Sequence, residues 1–389
     1  MQIDPKLYEF AETDKHRAYL DAVTQYGSEA GASRALGLSH DTVSKVVRRL
    51  KQRAAKAGYA PGHFESGTAP GFAMGKVTIQ RAADGTVERT WERQSPDAER
   101  LLEGLRAAVE GMAGEIVPCA PVAAPAASLA DLLAVYTLTD AHIGMLAWHR
   151  EGGADWDLRI AEDTIVGCFT ETIRQMPATG QAILSQLGDL LHYDGLSAVT
   201  PTSGHILDAD GRFTKMVEVA VRVIRRIVAM LLAKHDRVHL VLAEGNHDMA
   251  SSVWLRTMFK ALYELEPRIT VDDSALPYYA FEFGSVMQIF HHSHLKKNDQ
   301  LPLMVAAQFP EMWGRTRYRY IHTGNLHHHW EKEFSGVTVI QHQTLAARDA
   351  YAARGGWIAN RAMDAITYHR NFGQVGRVIV NPEMLEAAA

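Results

Sequence analysis

Five short polar clusters, each after an apolar run of strand length, constrain this chain most strongly. The clusters are Asp140-Ala141-His142, Gly188-Asp189, Glu244-Gly245-Asn246-His247-Asp248, His291-His292-Ser293-His294 and Gly324-Asn325-Leu326-His327-His328-His329. They follow the runs 132–138, 182–187, 238–243, 286–290 and 318–322. Short apolar runs bounded by turn residues are typical of buried strands, and open α/β folds bind ligands beyond the carboxyl ends of such strands. The pattern therefore predicts one polar site along one edge of a sheet.

Composition restricts the kind of site that this can be. With 389 residues, 47% of them hydrophobic and 22% charged, the chain has the make-up of an ordinary globular protein. The cysteines Cys119 and Cys168 are the only two, which argues against a disulfide framework and a thiolate zinc site. A metal would therefore be bound by nitrogen and oxygen. The start of the chain lacks signal-peptide features, and no apolar run approaches the roughly 20 residues that span a bilayer. We therefore expect a cytoplasmic protein without a membrane partner.

The first 60 residues predict a small all-α domain. Amphipathic patterns indicate helices at 15–26, 28–36 and 40–57, and Gly37-Leu38-Ser39 forms a turn before the third. This is a helix-turn-helix layout. The third helix is basic, and it has no acidic residue after Asp41. Its outward face would contact DNA through Thr42, Ser44, Lys45, Arg48 and Arg49. A basic three-helix unit that only packs or dimerises remains the alternative.

A connector and a larger α/β region follow. Residues 61–128 contain a hairpin pattern at 76–81 and 86–91, a helix opened by Ser95, Pro96 and Asp97 that runs to about Met112, and an Ala- and Pro-rich linker at 117–128. In residues 129–389 strand-like runs alternate with long helical patterns, which favours a sheet covered by helices. We expect the late strand patterns at 337–341 and 378–380 to complete a second sheet.

The residue types in the clusters suit a two-metal centre for phosphoryl chemistry. Aspartate oxygens and imidazole nitrogens bind manganese, zinc or iron. Two ions about 3.5–4 Å apart would hold a hydroxide between them and neutralise a phosphate. Asp189 could bridge the ions. His247 is then the natural proton donor to the leaving oxygen, with Asp248 orienting its ring, and His192 is expected to contact the substrate or support a ligand.

The same clusters resemble the motif set of the calcineurin-like metallophosphoesterase superfamily, whose fold is a two-sheet sandwich flanked by helices. The resemblance covers about residues 134–381 and matches motifs of the form DxH, GD, GNH[D/E], a lone His and GHxH. It implies that Asp140, His142, Asp189 and His327 bind one ion, that Asp189, Asn246 and His292 bind the other, and that His247 is catalytic. The N-terminal helices and the stretches 188–194 and 343–349 make the chain similar to the phage and prophage branch.

One position departs from the family pattern. Asn325 stands where GHxH has its first histidine, which belongs to the second ion. An amide oxygen is a weaker and harder ligand than imidazole, so the second site would bind loosely, prefer manganese or magnesium, or borrow a neighbour such as His322 or His328.

These inferences define a leading hypothesis and its rivals. The leading one is an α/β metallophosphoesterase that acts as a metal-dependent phosphodiesterase on DNA, a nuclease delivered by residues 1–60. Its two divalent ions would be manganese first, with zinc, iron, magnesium or nickel as the other choices. A homodimer would suit both activities, in the host cytoplasm if a phage encodes the chain. The rivals are a DNA-binding or regulatory protein with a degenerate esterase domain, and a phosphoesterase for small nucleotides or phosphoproteins.

Overall fold

The structure, a computed structural model, describes residues 3–69, 71–116, 121–201 and 203–386. The chain divides into two compact units, Met1–Leu101 and Leu102–Ala389. The first four residues of the predicted linker, 117–120, which include Cys119, lie outside the described residues. None of the described helices combines the length and the apolar character that crossing a membrane requires.

The first unit begins with helices packed on a small core. After a 3-10 helix at Pro5–Phe10 come α1 (Asp14–Tyr26), α2 (Glu29–Ala35) and α3 (His40–Lys56). The hydroxyls of Thr13 and Ser28 cap α1 and α2 by accepting backbone N–H groups. The core is apolar and fully buried, and it includes Leu20, Val23, Val43, Val47 and Leu50. The helical spacing of these residues explains why the predicted pattern of three helices is confirmed.

The same unit continues with strands. They are β1 (Tyr59–Ala60), β2 (Phe64–Glu65), β3 (Phe72–Arg81) and β4 (Val87–Pro96). The next element, α4 (Ala98–Glu115), begins in this unit, and most of its residues belong to the second. The predicted hairpin is confirmed, because β3 pairs antiparallel with β4. The predicted helix start is wrong for Ser95 and Pro96, which pair with β3. Asp97, the third residue of that predicted start, does precede the helix and accepts the backbone N–H groups of Glu99 and Leu101.

The second unit alternates strands and helices. Its first half contains β5 (Leu129–Leu138), α5 (His149–Gly152), α6 (Leu158–Gln175), β6 (Thr179–Gln186), α7 (Phe213–Lys234), β7 (Arg237–Leu242), α8 (Met249–Leu262) and β8 (Ile269–Val271). Its second half contains β9 (Tyr279–Phe283), β10 (Val286–His291), α9 (Leu301–Gln308), α10 (Pro310–Arg315), β11 (Tyr318–Thr323), β12 (Trp330–Phe334), β13 (Val337–Gln341), α11 (Ala350–Gly355), β14 (Met363–His369), β15 (Gly373–Val380) and α12 (Glu383–Glu386).

These strands form two mixed sheets. A six-stranded sheet has the order β15-β14-β5-β6-β7-β8, with β5 to β8 parallel. A five-stranded sheet has the order β12-β13-β11-β10-β9, with β10, β11 and β13 parallel. The expectation that 337–341 and 378–380 complete one second sheet is half wrong. β13 does belong to the second sheet, but β15 pairs antiparallel with β14 at the edge of the first.

The two sheets pack face to face between helices. Apolar side chains of both, among them Val135, Ile183, Phe290 and Ile340, share one core. The opposite face of the six-stranded sheet packs on α6, α7 and α8, and that of the five-stranded sheet packs on α9 and α10. The predicted two-sheet α/β sandwich flanked by helices is therefore confirmed. The five polar clusters follow the carboxyl ends of β5, β6, β7, β10 and β11.

Candidate metal centre

Asp140, two residues beyond β5, lies fully buried at the centre of the site. Its Oδ2 accepts hydrogen bonds from the Thr139 hydroxyl at 2.6 Å and from the Asn325 backbone N–H at 2.9 Å. Its Oδ1 has no hydrogen-bond partner and lies 3.2 Å from Nε2 of His327. One carboxylate oxygen thus fixes the side chain, and the other is free to bind a cation.

Asp189, beyond β6, is held in a comparable way. Its Oδ1 accepts the backbone N–H of His247 at 2.8 Å, and its Oδ2 lies 3.2 Å from Nε2 of His292. The approach of the two loops requires Gly245, because a Cβ atom at that position would lie 2.0 Å from Asp189 Oδ1. This glycine is therefore part of the site although it carries no side chain.

His292 faces both carboxylates. Its Nδ1 donates to the carbonyl of Leu187 at 2.6 Å, so its Nε2 is the nitrogen directed at Asp189 and, 3.9 Å away, at Asp140. A backbone acceptor on one ring nitrogen selects the tautomer in which the other can bind a metal.

Two overlapping groups of ligand atoms result. The atoms of Asp140, His142 and His327 lie within 4.8 Å of one another, and so do those of Asp140, Asp189 and His292. Asp140 belongs to both groups. Asp189 belongs to the second alone, so its role as the bridging ligand stays a prediction.

The donor atoms fit divalent cations. Among the described side chains, Asp140 Oδ1, Asn246 Oδ1 and His292 Nε2 are buried polar atoms without a hydrogen-bond partner. Unpaired buried polar atoms are costly unless something binds them. Carboxylate and amide oxygens with imidazole nitrogens are ligands for manganese, zinc or iron. The residues present therefore suit the two metal ions that the sequence predicts.

Asn325 and its neighbours clarify the departure from the family pattern. Asn325 is half-buried, and its contact with the site is the backbone N–H donated to Asp140. The suggestion that His322 supplies the missing nitrogen is wrong, because its ring lies between Gln288 and His342 at 2.8 Å from each. His328, the other suggested substitute, is exposed, and its Nδ1 donates a hydrogen bond to the carbonyl of Leu326.

A third group joins the predicted catalytic histidines to the metal ligands. Ligand atoms of His142, His192 and His247 lie within 4.8 Å of one another, and Nδ1 of His192 is 3.3 Å from Nδ1 of His142. His247 is half-buried, and its Nδ1 donates to the carbonyl of His192 at 2.7 Å. The ring of His247 is thus oriented by His192, not by Asp248 as expected from the sequence.

Asp248 is buried and organises the loops instead. Its oxygens accept the backbone N–H groups of Asp189, Leu190, Leu191 and Gly245 at 2.7–3.2 Å. Burial first, and then the charges of Asp189 and Asp194, raise the pKa of this carboxyl to about 7. Asp248 therefore links the loop after β6 to the loop after β7.

Charge within the site is balanced between carboxylates and imidazoles. Burial alone would lower the pKa of His292, but the carboxylates of Asp189 and Asp140 raise it to about 10. Burial would raise the pKa of Asp140, yet His327 and His292 lower it to about 2. Burial and the neighbouring rings of His247 and His192 keep the pKa of His142 well below its usual value. A cation would take the place of the His292 proton, so metal binding should release protons.

Two more residues build the site: Asp194, which was expected from the sequence beside the substrate or a metal ligand, and Thr344, which had no role assigned from the sequence. Asp194 accepts backbone N–H groups of Ala250 and Ser251 at the start of α8, and Thr344 donates to the carbonyl of Asp140 at 2.6 Å. Asp194 stands two residues after His192 in the chain, but its partners in α8 become neighbours only in the folded sheet.

The predicted DNA-contacting residues lie on or beside the exposed face of α3. Lys45, Arg48 and Arg49 are exposed, with Lys45 3.7 Å from Asp41. The hydroxyl of Ser44 donates to Glu29 at 2.5 Å, and that of Thr42 is hydrogen-bonded to Ser39. The three cations are thus presented to solvent, while the two hydroxyls are engaged within the unit.

Comparisons with known proteins complete the description. No family model matches the chain, and no curated protein matches it. Solved structures that resemble it include a dimetal phosphatase from Danio rerio (10% identity, 64% of this chain and 98% of that chain, TM-score 0.35). A novel archaeal phosphodiesterase is also similar (12% identity, 64% of this chain and 99% of that chain, TM-score 0.32). So is zinc-complexed Vps29 from Entamoeba histolytica (10% identity, 64% of this chain and 99% of that chain, TM-score 0.28). At such TM-scores the likeness carries no argument about this chain.

Proposed function

We propose that the chain is a metal-dependent phosphodiesterase that cleaves nucleic acid. The observation that supports this proposal most strongly is the pair of overlapping ligand groups, which share Asp140. Their residues lie beyond the ends of adjacent strands. Two divalent ions bound there would neutralise the phosphate and activate water for attack at phosphorus.

The residues of the chain would bind the metals and move one proton. Asp140, His142 and His327 would hold one ion, and Asp189, Asn246 and His292 the other. His247 is the proton donor to the leaving oxygen, because its Nδ1 is fixed by the carbonyl of His192 and its other nitrogen remains for a proton. The bond from its backbone N–H to Asp189 couples the position of this donor to the metal ligand.

The proposed substrate is DNA. This part of the proposal is supported by the exposed cations Lys45, Arg48 and Arg49 on one helix of a three-helix unit. Cations on such a helix engage phosphates, and its first turns can reach base edges in a major groove. The second candidate function, a DNA-binding protein without catalysis, is favoured by Asn325 alone.

The test is manganese-dependent hydrolysis of bis-p-nitrophenyl phosphate, supercoiled plasmid and single-stranded DNA, with bound metal quantified. In His247→Ala we expect turnover to fall by roughly 10²- to 10⁴-fold while the metal is retained, because a proton donor is lost. In Asp189→Ala both turnover and bound metal should be lost. His63→Ala, which removes an exposed histidine of the first unit, is the control.

Two results would contradict the proposal. Wild-type protein with two bound ions that cleaves none of the three substrates would exclude the proposed DNA nuclease. Turnover in His247→Ala equal to that of wild type would remove the assigned proton donor.

A further inference from the structure

The second ion has one imidazole among its proposed ligands, whereas the first has two, from His142 and His327. Asp189, His292 and Asn246 provide one carboxylate, one imidazole and one amide oxygen. Amide oxygen is a weak ligand, and protein-bound zinc or iron usually has four or more donors. His322 is engaged with Gln288 and His342, and the side chain of Asn325 offers an amide oxygen but no nitrogen ligand, so a further nitrogen would have to come from another residue beside His292.

His294 has the properties of a ligand without its metal. Its side chain is 8% exposed, and both ring nitrogens are buried without a hydrogen-bond partner. A buried imidazole with two unpaired nitrogens is rare, because each nitrogen normally finds a donor or an acceptor. Its ring centroid lies 5.5 Å from that of His292. His294 is thus a free nitrogen donor next to an expected metal ligand.

The backbone between the two histidines is held in place. Ser293 has a φ of 82°, in the left-handed region, and its hydroxyl is 2.7 Å from Asn298 and donates to the carbonyl of Lys296. Asn298 in turn donates a hydrogen bond to the side chain of Gln341, and Gln341 donates one to the carbonyl of Gly324 beside the site. A strained residue with such support fixes the direction in which its neighbours leave the loop.

Glu244 offers the support that metal-binding imidazoles usually have. Its Oε1 lies 3.9 Å from Nε2 of His294, and it directly precedes Gly245 and Asn246 in the chain. Histidine ligands generally donate their second N–H to a carboxylate, a carbonyl or water. His291, whose ring stacks on His294 at 5.9 Å, is already fixed by donating to the carbonyl of Pro277.

We propose that His294 is a ligand of the second ion, beside Asp189, Asn246 and His292, with Glu244 orienting its ring. This inference rests on the metal centre of the proposed function. His294 does not belong to the groups whose ligand atoms lie within 4.8 Å of one another. Its ring would therefore join the other ligands only when the second ion is bound. The added imidazole replaces the nitrogen that Asn325 does not provide, and it favours zinc or iron over magnesium at this site.

Zinc binding to the full chain tests this proposal without reference to activity. Wild type, His294→Leu, His294→Asp and the control His291→Leu would be titrated with Zn²⁺ by equilibrium dialysis and elemental analysis. We expect wild type and His291→Leu to bind two ions with equal affinity. His294→Leu should bind the second ion at least about tenfold more weakly, and His294→Asp, which restores a donor, should recover much of that loss.

X-ray absorption of zinc-loaded wild type covers the case in which a variant does not fold. The proposal predicts four imidazoles over the two ions, from His142, His292, His294 and His327, whereas three would contradict it. Two ions bound equally well by His294→Leu would overturn this inference alone. Wild type that binds no zinc would overturn it together with the metal centre.

Discussion

Backbone strain at single residues is concentrated around the candidate metal centre. Within the described part of the chain, six residues other than glycine have positive φ, between 42° and 82°. They are Asp140, His142, Asp189, Ser293, Asn325 and His327. Each such residue costs on the order of 1 kcal/mol. The surroundings hold them in place; for example, the backbone N–H of His142 donates to the carbonyl of Asp189. Apolar patterns located these residues, but nothing in the sequence indicated their backbone conformation.

Replacement of Asp248 tests how far one buried carboxylate holds this strained arrangement. In Asp248→Asn one of the two carboxylate oxygens becomes an N–H₂ group, which would face two of the four backbone N–H groups instead of accepting from them. We expect the free energy of unfolding to fall by about 1–3 kcal/mol and metal affinity to fall by roughly tenfold or more. Denaturant unfolding and metal titration measure both effects. Asp273→Asn, at an exposed carboxylate, is the control, and unchanged metal affinity in Asp248→Asn would contradict the assigned role.

At the scale of elements, the sequence predicted which strands end at the site but not which strands are neighbours. The runs before Asp140, Asp189 and His292 are short, apolar and bounded by turn residues, so the position of each cluster follows from local pattern. The placement of β15 does not follow from local pattern, because the packing of the whole sheet determines that it pairs with β14. His322 likewise lies in an ordinary strand pattern, and its true environment depends on three strands distant in the chain.

His322 belongs to a buried polar network that joins the two sheets. Its ring contacts Gln288 of β10 and His342 beyond β13, and Nδ1 of His342 donates to Asp364 of β14 at 2.6 Å. Arg377 of β15 donates to Asp364 at 2.6 Å. Burial, and then the charge of His342, lowers the pKa of His322 well below its usual value. A network of this kind is stable only while its members keep their protonation states.

The network predicts how stability depends on pH. The folded-state pKa of His322 is lowered, so the unfolded chain binds a proton that the folded chain does not, and stability falls as pH drops below about 6.5. His322→Gln should reduce this slope by up to about 1.4 kcal/mol per pH unit. Urea unfolding between about pH 7 and pH 5 measures the slope, with the exposed His63→Gln as control. If the free energy of unfolding of His322→Gln changes with pH as steeply as that of wild type, His322 already accepts its proton in the folded state.

At the scale of the whole molecule, one chain combines a basic helix with an excess of acids. The formal net charge is -5, yet the exposed face of α3 carries Lys45, Arg48 and Arg49. A local cationic surface on an acidic protein favours binding of polyanions at that surface over general attraction.

DNA binding by the full chain should therefore depend on this face and on salt. Arg48→Ala with Arg49→Ala should weaken binding and make the plot of log affinity against log salt shallower by about 0.9 for each DNA phosphate that the variant no longer neutralises. Arg106→Ala with Arg159→Ala removes two exposed cations of the second unit and should have a smaller effect. Equal affinity and salt slope in wild type and Arg48→Ala with Arg49→Ala would exclude α3 as the DNA-binding helix.

The proposed function depends on Asp140, Asp189 and the surrounding histidines binding two ions close together. The most direct measurement is electron paramagnetic resonance of the full chain titrated with Mn²⁺, with bound metal counted in parallel. We predict two bound ions whose spins are coupled, because ions of a two-metal site lie about 3.5–4 Å apart, and we predict that Asp140→Ala abolishes the coupled signal. A single bound ion, or two ions that remain magnetically independent, would contradict the account.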